Sequence, residues 1–273
     1  GYPKTLYWSL YLWDNSFAKE EKNMEIRYQK HWSSHLNRDM EFKVYGHSGR
    51  PVLFIPCQAG RFWDFEAFHM DETWAPWIES GQVMVFACDT IDNEAWAAVG
   101  ADNRWRIENQ EKWFRYICYE LVPAIHHIAG SANGFHQDIM TFGASMGAMH
   151  AANLYYRRPD LFNSCFAISG LYDNQEFFGD YCDDLVYNNC PVLYLENLPQ
   201  DHFYMDMYRH QKSLIVVGQG AWEEPLLAST RRLDEVCCRK GIPTRFEYWG
   251  TDVNHDWPWW HKMVPTYLPW LLS

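Results

Sequence analysis

The sequence predicts an α/β protein in which a mostly parallel central sheet is flanked by helices. Short apolar runs such as "PVLFIP" and "SLIVV" alternate with longer amphipathic segments, and this alternation is typical of parallel sheets covered by helices. The chain has 273 residues and no linker-like stretch, a length that one large α/β domain can fill. We therefore expect residues 1–273 to form a single domain.

The apolar runs and the amphipathic segments predict the individual elements. Strands are expected at about 41–46, 51–56, 83–88, 138–142, 164–169, 213–217 and 244–249. Helices are expected near 71–80, 104–129, 145–157, 223–240 and 258–271. The helix at 223–240 should end at Gly241, because glycine tolerates a left-handed cap and the following Pro243 cannot continue a helix.

Two segments fall outside this alternation. Residues 1–26 carry the aromatic stretch "TLYWSLYLW" and are predicted to be an amino-terminal extension, either an additional edge strand or an arm of a homo-oligomer. Residues 171–212 separate two predicted strands by about 40 positions of mixed aromatic and acidic content. A connection of that length usually carries function, so we interpret it as a lid or cap insertion.

Charge and hydropathy exclude several classes of partner. The net charge is −12 at pH 7, whereas nucleic-acid binding depends on a basic surface, so we expect no nucleic acid and a neutral or weakly charged small molecule. No apolar run approaches the roughly 20 residues that span a bilayer, so no membrane partner is expected. The chain opens without a charged-then-apolar leader, although Gly1 leaves open that a leader was removed.

The cysteines and one histidine pair lack the full sequence pattern of a metal or redox site. The eight cysteines lie mostly in apolar stretches such as "VFAC" and "NSCFAISG", which predicts reduced, buried thiols in a cytoplasmic protein. None has the C-x-x-C spacing of a zinc or redox site. His31 and His35 in "HWSSH" have i, i+4 spacing but lack the intervening glutamate and a third ligand, so no metal site is predicted.

The segment "TFGASMGAMHA", residues 141–151, contains the pattern G-x-S-x-G centred on Ser145. It follows the predicted strand "DIMTF" and opens a predicted helix, which is the context of a nucleophile elbow. Such a turn strains the backbone of the serine, and Gly143 and Gly147 avoid collisions where strand and helix nearly touch. An ordinary serine at a helix start would require neither flanking element, so Ser145 is predicted to be a nucleophile.

A serine nucleophile needs a base to remove its proton. In this arrangement the chain order is serine, acid, histidine, and only His255 and His261 follow residue 210. His255 lies between the last predicted strand and the last predicted helix, whereas His261 lies within that helix. His255 is therefore the predicted base.

The sequence offers several candidates for the acid that orients the histidine. Glu223 and Glu224 follow the predicted strand at 213–217, where the acid usually lies, and Asp173 and Asp252 are further candidates. We predict Glu223, with Glu224 next, because the sequence does not show which side chain points inward.

The tetrahedral intermediate of acyl transfer needs two N–H donors. Met146 is predicted to supply one through its backbone N–H, because it follows the nucleophile. The loop "CQAGRFWDFE" after the strand at 51–56 should supply the other from Gln58 or Ala59. Cys57 in that loop would lack its own histidine and is interpreted as structural.

Tryptophans are expected on or beside the loops around Ser145. They are Trp63, Trp222, Trp257, Trp259 and Trp260. We predict an aromatic-walled cleft for an aryl, acyl or sugar ester, with the first three as substrate contacts. The alternative is that the rings pack beneath the loops.

These motifs together resemble the esterase family of α/β-hydrolases that includes esterase D (S-formylglutathione hydrolase), enterochelin esterase, feruloyl esterases and the mycolyltransferase antigens. The resemblance runs from about residue 27 to the end and rests on "HWSSHLNRDMEFKVYGHSGRPVLFIP", "GASMGAMHAAN", "RRPDLFNSCFAISGLYD", "VVGQGAWEE" and "WGTDVNHDWPWWHKMVPTYL". It implies the α/β-hydrolase fold, ester hydrolysis without a cofactor, and a triad of Ser145, His255 and Glu223. The oxyanion loop "PCQAG" departs from the His-Gly pair common among relatives.

The sequence thus predicts a serine carboxylesterase that cleaves a small-molecule ester through an acyl-enzyme. One alternative is an acyltransferase of the same fold that moves the acyl group to an alcohol or sugar. The other is a catalytically inactive binding protein with a hydrolase fold. The presence of both Ser145 and His255 argues against the latter, because degenerate copies typically lose one of them.

Overall fold

The computed structural model of this chain describes residues 24–273 and shows the predicted mostly parallel sheet between two layers of helices. Most of the predicted extension at 1–26 therefore lies outside the described residues. The strands are β1 (Ile26–Ser33), β2 (Arg38–Tyr45), β3 (Arg50–Ile55), β4 (Val83–Ala87), β5 (Ile139–Ala144), β6 (Phe162–Ile168), β7 (Lys212–Val217) and β8 (Arg245–Tyr248). The fold class expected from the sequence is confirmed.

The strands form one sheet in the order β1-β2-β4-β3-β5-β6-β7-β8. Within residues 24–273, β2 pairs antiparallel with β1 and β4, and the other neighbouring strands pair parallel. Parallel strands end at the same edge of a sheet, so the loops that follow β3, β5, β6, β7 and β8 gather there. The predicted site residues lie on these loops.

The sequence predicts β2 but not its hairpin partner β1. Side chains along β1 alternate between exposed and half-buried, so this edge strand lacks the apolar run by which the other strands are predicted. His31 lies in β1 and His35 in the turn that follows, so their spacing is not that of two residues on one helix face. Within residues 24–273, no cluster of three His, Cys, Asp or Glu side chains could hold a metal ion.

The helices match the predicted ones except in two longer regions and in the single-turn helix Asp64–Ala67, which was not predicted. In the described part of the chain they are α1 (Asp64–Ala67), α2 (Met70–Glu79), α3 (Asn103–Tyr116), α4 (Val122–Asn133), α5 (Met146–Arg157), α6 (Gln175–Phe178), α7 (Asp184–Asn188), α8 (Pro191–Glu196), α9 (Phe203–His210), α10 (Glu224–Lys240) and α11 (Trp257–Leu271). The helix predicted at 104–129 is α3 and α4 joined by a π-helical turn, Ile117–Leu121, which helical periodicity does not reveal. As expected, α10 ends at Gly241, whose φ is +71°.

The second region is the segment 171–212. It folds into the four short helices α6 to α9, none of which is long enough to show a clear apolar periodicity in the sequence. α8 packs against α10, and it also contacts α5. The segment is therefore ordered against the helices of the domain, and its function as a lid or cap stays a prediction.

Both faces of the central strands are buried. In β3, Leu53 and Ile55 face the core made with α3, α4 and α5, whereas Val52 and Phe54 face the core made with α2 and α11. A strand that is buried on both faces needs apolar residues at every position, which is why β3 appears in the sequence as a continuous apolar run.

All eight cysteines are free thiols, and Cys182 and Cys238 are exposed exceptions to the predicted burial. Cys238 follows the buried Cys237 on α10, and adjacent helix residues point to different faces. No helix in residues 24–273 is long and apolar enough to cross a membrane. The cytoplasmic location and the homo-oligomer stay predictions.

Candidate active site

Ser145 sits on a tight turn between β5 and α5. Its backbone angles are φ +59° and ψ −127°, a conformation that is costly for a residue with a side chain. Its N–H is held by a 2.9 Å hydrogen bond to the carbonyl of Ile168. A Cβ atom on Gly147 would lie 2.2 Å from the carbonyl oxygen of Ile55, and one on Gly143 would lie 2.4 Å from the carbonyl of Gly147. Both glycines are therefore required by the close approach of α5 to the sheet.

His255 lies on the loop between β8 and α11 and reaches the serine. Its Nε2 is 2.9 Å from Ser145 Oγ. The loop is held by the backbone, since the His255 N–H donates to the carbonyl of Ala221 and the Ala221 N–H donates to Asn254 Oδ1. The ring of the buried Trp260 packs nearly perpendicular to the imidazole at a centroid distance of 4.9 Å. These contacts position the loop and the imidazole, with Nε2 toward Ser145.

Glu223 contacts the imidazole of His255 on the side opposite Ser145. Its Oε1 is 2.8 Å from His255 Nδ1, and its side chain is fully buried. The other oxygen, Oε2, accepts hydrogen bonds from Ser169 Oγ at 3.0 Å and from the Gly218 N–H at 3.2 Å. A buried carboxylate has lost its hydrogen bonds to water, and the hydrogen bonds from these two donors replace them.

The other acid candidates make different contacts. Glu224 is exposed at the first turn of α10, and Asp252 is exposed on the turn after β8. Asp173 is buried, but its Oδ2 accepts hydrogen bonds from Arg232 Nε at 2.8 Å and from Ser229 Oγ at 3.1 Å. Among the described residues, Glu223 is therefore the carboxylate hydrogen-bonded to His255.

The remaining histidine candidate, His261, is engaged elsewhere. Its Nδ1 lies 2.6 Å from Thr73 Oγ1, in the contact between α11 and α2. Burial lowers the pKa of its imidazole, as expected for a group whose charged form loses hydration. His261 thus stabilises helix packing away from Ser145.

The loop after β3 and the start of α5 converge beside Ser145. Met146 is the first residue of α5, and Gln58 lines the same cavity as Ser145 and Met146. The Ala59 N–H donates a 3.0 Å hydrogen bond to Asp92 Oδ2, whereas the Gln58 N–H makes no hydrogen bond to another described residue. Of the two amides considered from the sequence, that of Gln58 is therefore the one left for a ligand.

Cys57 precedes these amides but is a poor nucleophile. Its thiol donates to the carbonyl of Ala144 across 3.4 Å. Burial raises the pKa of the Cys57 thiol to about 12, so the reactive thiolate is scarce at neutral pH. These contacts agree with a structural role.

The cavity at Ser145 has a volume of about 180 Å³. Besides Ser145, His255 and Gln58, its wall is apolar and consists of Met146, Met149, Leu171, Phe177, Trp222 and Leu226. No Asp, Glu, Lys or Arg side chain belongs to the wall formed by the described residues. The cavity therefore favours an uncharged group.

The predicted tryptophans occupy different environments. Trp222 lines the cavity, is 80% exposed and has a φ of +67°. Trp63 lies under the guanidinium of Arg61, 4.5 Å from its ring centre. Trp257 stacks in parallel on Phe68, with ring centroids 4.5 Å apart. Of these three, the structure places Trp222 in the wall of the Ser145 cavity.

Comparisons with known proteins agree with this architecture. The family model described as "Putative esterase" matches residues 33–271. The chain belongs to this family. The predictions of the family and of an ester-hydrolysing enzyme are thereby confirmed. No curated protein matches the sequence.

Solved structures of esterases share the fold. A ferulic acid esterase is 17% identical with a TM-score of 0.68, and the match covers 91% of this chain and 98% of that one. An S-formylglutathione hydrolase from Agrobacterium tumefaciens is 16% identical with a TM-score of 0.65, covering 90% and 94%. A ferulic acid esterase from Anaeromyces mucronatus, solved with ferulic acid, is 13% identical with a TM-score of 0.62, covering 92% and 90%. These similarities confirm the α/β-hydrolase fold of this esterase-family protein.

Sequence reasoning missed the hydrogen bond from Ser169 to Glu223. Ser169 follows β6 directly and has a φ of +53°. Its place at the carboxyl end of a parallel strand, where sites of open α/β sheets lie, is a signal that could have found it. The sequence pattern alone marks this serine only as the end of a strand.

Proposed function

We propose that this protein is a serine carboxylesterase that forms an acyl-enzyme on Ser145. The observation that carries the proposal is the continuous pair of hydrogen bonds from Ser145 Oγ to His255 Nε2, at 2.9 Å, and from His255 Nδ1 to Glu223 Oε1, at 2.8 Å. A hydroxyl, an imidazole and a buried carboxylate in this order form the geometry that activates a serine in acyl transfer. Membership of the esterase family supports an ester as the substrate.

Acylation begins with proton transfer to the imidazole. His255 Nε2 takes the Oγ proton as Oγ bonds to the ester carbonyl carbon, and Glu223 stabilises the resulting imidazolium. The carbonyl π electrons move to oxygen, and the oxyanion accepts hydrogen bonds from the N–H groups of Met146 and Gln58. The ester C–O bond then breaks, and His255 Nε2–H protonates the departing alkoxide, which leaves as the alcohol.

Deacylation repeats these steps with water. His255 Nε2 takes a proton from a water molecule whose oxygen attacks the acyl carbon, and the two N–H donors again hold the oxyanion. The bond between the acyl carbon and Ser145 Oγ breaks, and Oγ recovers its proton from His255. The products are a carboxylic acid and the free enzyme.

The cavity indicates the kind of ester. Pockets that hold drug-sized ligands measure roughly 300–1,000 Å³, so a cavity of about 180 Å³ with an apolar wall suits a small, uncharged acyl group. The exposed ring of Trp222 offers a flat surface for an aryl or sugar ring of the same ester. Substrate contact by Trp63 and Trp257 stays a prediction.

We also infer that residues 24–273 form one domain in which the segment 171–212 caps the site. Leu171 and Phe177 from this segment contribute to the cavity wall. The buried guanidinium of Arg106 on α3 donates hydrogen bonds to the carbonyls of Trp96, at 2.7 Å, and Phe177, at 2.8 Å. This cation thus ties the capping segment to the body of the domain.

The replacement Ser145→Ala tests the proposed function. We expect kcat for p-nitrophenyl acetate to fall by about 10⁴-fold or more with the fold intact, because the nucleophile is lost. Circular dichroism checks the fold. Ser131→Ala is a matched control, since Ser131 is exposed on α4, and it should leave kcat unchanged.

Two outcomes would contradict the proposal. Hydrolysis that survives Ser145→Ala would exclude Ser145 as the nucleophile, and a folded wild-type protein that a fluorophosphonate does not label would indicate an inactive binding protein. Product analysis with added alcohols or sugars separates the hydrolase from a transferase. A hydrolase gives mainly free acid, whereas a transferase gives a new ester.

A further inference from the structure

A second carboxylate–histidine pair lies behind the proposed oxyanion hole. His150 Nε2 is 2.8 Å from Asp92 Oδ1, and the two side chains are 1% and 2% exposed. Trp113 packs on the imidazole of His150 with a centroid distance of 4.5 Å. Both side chains are thus almost fully buried, and neither residue belongs to the wall of the Ser145 cavity.

The other oxygen of Asp92 holds the loop after β3. Asp92 Oδ2 accepts the Ala59 N–H at 3.0 Å. Ala59 has a φ of +56°, and a non-glycine residue keeps such a conformation only when its surroundings impose it. The Ala59 N–H belongs to the peptide unit that follows Gln58, so its hydrogen bond to Asp92 holds the peptide unit next to the one that carries the Gln58 N–H.

His150 belongs to the element that carries the other proposed donor. It lies on α5, four residues after Met146, which begins that helix. Asp92 therefore bridges two separate elements, since one oxygen binds α5 through His150 and the other binds the loop through Ala59. The two oxyanion donors lie on these same two elements.

We propose that Asp92 and His150 are positioning residues that hold the Gln58 N–H at a fixed place relative to the Met146 N–H. The proposal rests on the proposed function, because it assumes an oxyanion at Ser145. Two donors stabilise an oxyanion only when both lie about 2.7–3.1 Å from it. Without the bridge, the strained turn at Ala59 can relax, and the loop no longer presents the Gln58 amide to the same point.

The chemistry of the bridge predicts which replacement preserves it. Asp92→Ala removes both acceptors. In Asp92→Asn, the amide oxygen can accept the Ala59 N–H while the amide NH₂ donates to His150 Nε2, provided that the imidazole proton moves to Nδ1. An ionised carboxylate is therefore not needed for the bridge, and we expect the asparagine to rescue what the alanine loses.

The test measures transition-state binding separately from substrate binding. For Asp92→Ala we expect kcat to fall by about 100-fold, the usual effect of losing one oxyanion donor. With an ester whose chemistry is slower than its dissociation, KM should stay within about threefold, because the bound ester carries no oxyanion. The inhibition constant of a trifluoromethyl ketone, whose adduct with Ser145 carries an oxyanion, should rise by the factor by which kcat/KM falls. Asp92→Asn should keep both values within about threefold of wild type.

Glu111→Ala is the matched structural control. Glu111 accepts hydrogen bonds from Arg157 Nη1 at 2.6 Å and from Asn189 Nδ2 at 2.7 Å, so it anchors the opposite end of α5 and does not touch the loop at Ala59. This variant should have a lower Tm and an unchanged kcat for each active site titrated with a fluorophosphonate. Asp92→Ala should instead have a lower kcat for each titrated site.

The proposal would be overturned if Asp92→Ala lowered Tm but left kcat and the ketone inhibition constant unchanged. The Asp92–His150 pair would then be only a packing contact of the core. If Asp92→Ala does not fold, His150→Leu serves instead, because it removes the link to α5 and keeps Asp92 on Ala59. It should lower kcat by about 10-fold with a matching loss of ketone affinity, and unchanged values would again overturn the proposal. Activity that survives Ser145→Ala would refute the proposed function itself. The Asp92 and His150 variants test only the positioning role, so the two failures can be told apart.

Discussion

The protein contains two carboxylate–histidine pairs, one at Ser145 and one behind it, with the same hydrogen-bond length and different surroundings. Both Glu223–His255 and Asp92–His150 are joined at 2.8 Å. The His255 side chain is 20% exposed and its second nitrogen meets the hydroxyl of Ser145. The His150 side chain is 1% exposed, and the second carboxylate oxygen of Asp92 accepts a hydrogen bond from the Ala59 N–H.

The difference shows that the third partner decides what such a pair can do. A hydroxyl gives up its proton when its oxygen attacks a carbonyl, so the Glu223–His255 pair can carry a proton through a reaction. A backbone amide does not give up its proton, so the Asp92–His150 pair can only hold a geometry. Replacements that keep hydrogen bonds but remove charge should therefore affect the two pairs unequally.

Glu223→Gln should produce the largest difference between the pairs. We expect kcat/KM to fall by about 10²- to 10⁴-fold, because a glutamine NH₂ would face His255 Nδ1, favour the wrong tautomer and leave the imidazolium without its counter-charge. The parallel change Asp92→Asn should have an effect of about threefold or less. The measurement is steady-state hydrolysis of p-nitrophenyl acetate.

Glu224→Gln is the matched control for this prediction, since Glu224 is the exposed neighbour at the start of α10. It should retain wild-type kcat/KM. A Glu223→Gln variant that kept more than a tenth of the activity would mean that the charge at His255 is unimportant, and the contrast between the pairs would fail.

Gly147→Ala should disturb both pairs at once, because this glycine lies between Ser145 and His150 on α5. The new Cβ would meet the Ile55 carbonyl oxygen at 2.2 Å, so α5 must move away from β3. We expect the free energy of unfolding to fall by about 1–3 kcal/mol. We also expect kcat to fall by about 100-fold, because a misplacement of about 1 Å at an active site lowers the rate by that factor. Thermal unfolding and kinetics measure the two effects.

Gly130→Ala provides the control, because a Cβ on Gly130 in α4 would have no atom within 4 Å. It should stabilise the protein by about 0.5–1 kcal/mol through helix propensity and leave kcat unchanged. Equal stability losses in the two variants would show that the close approach at Gly147 is not what holds α5.

Phe177→Ala should have the smallest effect and leave both pairs intact. It removes part of the cavity wall, so kcat/KM for a hexanoyl ester relative to an acetyl ester should rise by about 10-fold, the scale of discrimination by one or two methylene groups. Activity on the acetyl ester should stay within about threefold of wild type. Phe203→Ala, at an exposed position on α9, should change neither value. An unaltered ratio in Phe177→Ala would place the acyl group elsewhere.

Local sequence signals were sufficient where one segment contains the whole feature. The elbow at Ser145 was predictable because strand, serine, glycines and helix are contiguous, and the end of α10 was predictable from Gly241. β1 was missed because an edge strand with one exposed face has no apolar run. The π-helical turn Ile117–Leu121 was missed because its extra residue leaves no mark in composition.

By itself, the sequence determined the fold class, the esterase family and the elbow at Ser145, because periodicity and contiguous motifs are local properties of the chain. Only the tertiary structure decided that Glu223 rather than Glu224 contacts His255, since adjacent residues at a helix start differ only in direction. It also brought Asp92 into contact with His150, 58 positions away in the chain. In addition, it bonded the Ala59 N–H to Asp92 and left the Gln58 N–H without such a partner among the described residues. Such contacts depend on how separate elements pack, and no neighbouring residues encode them.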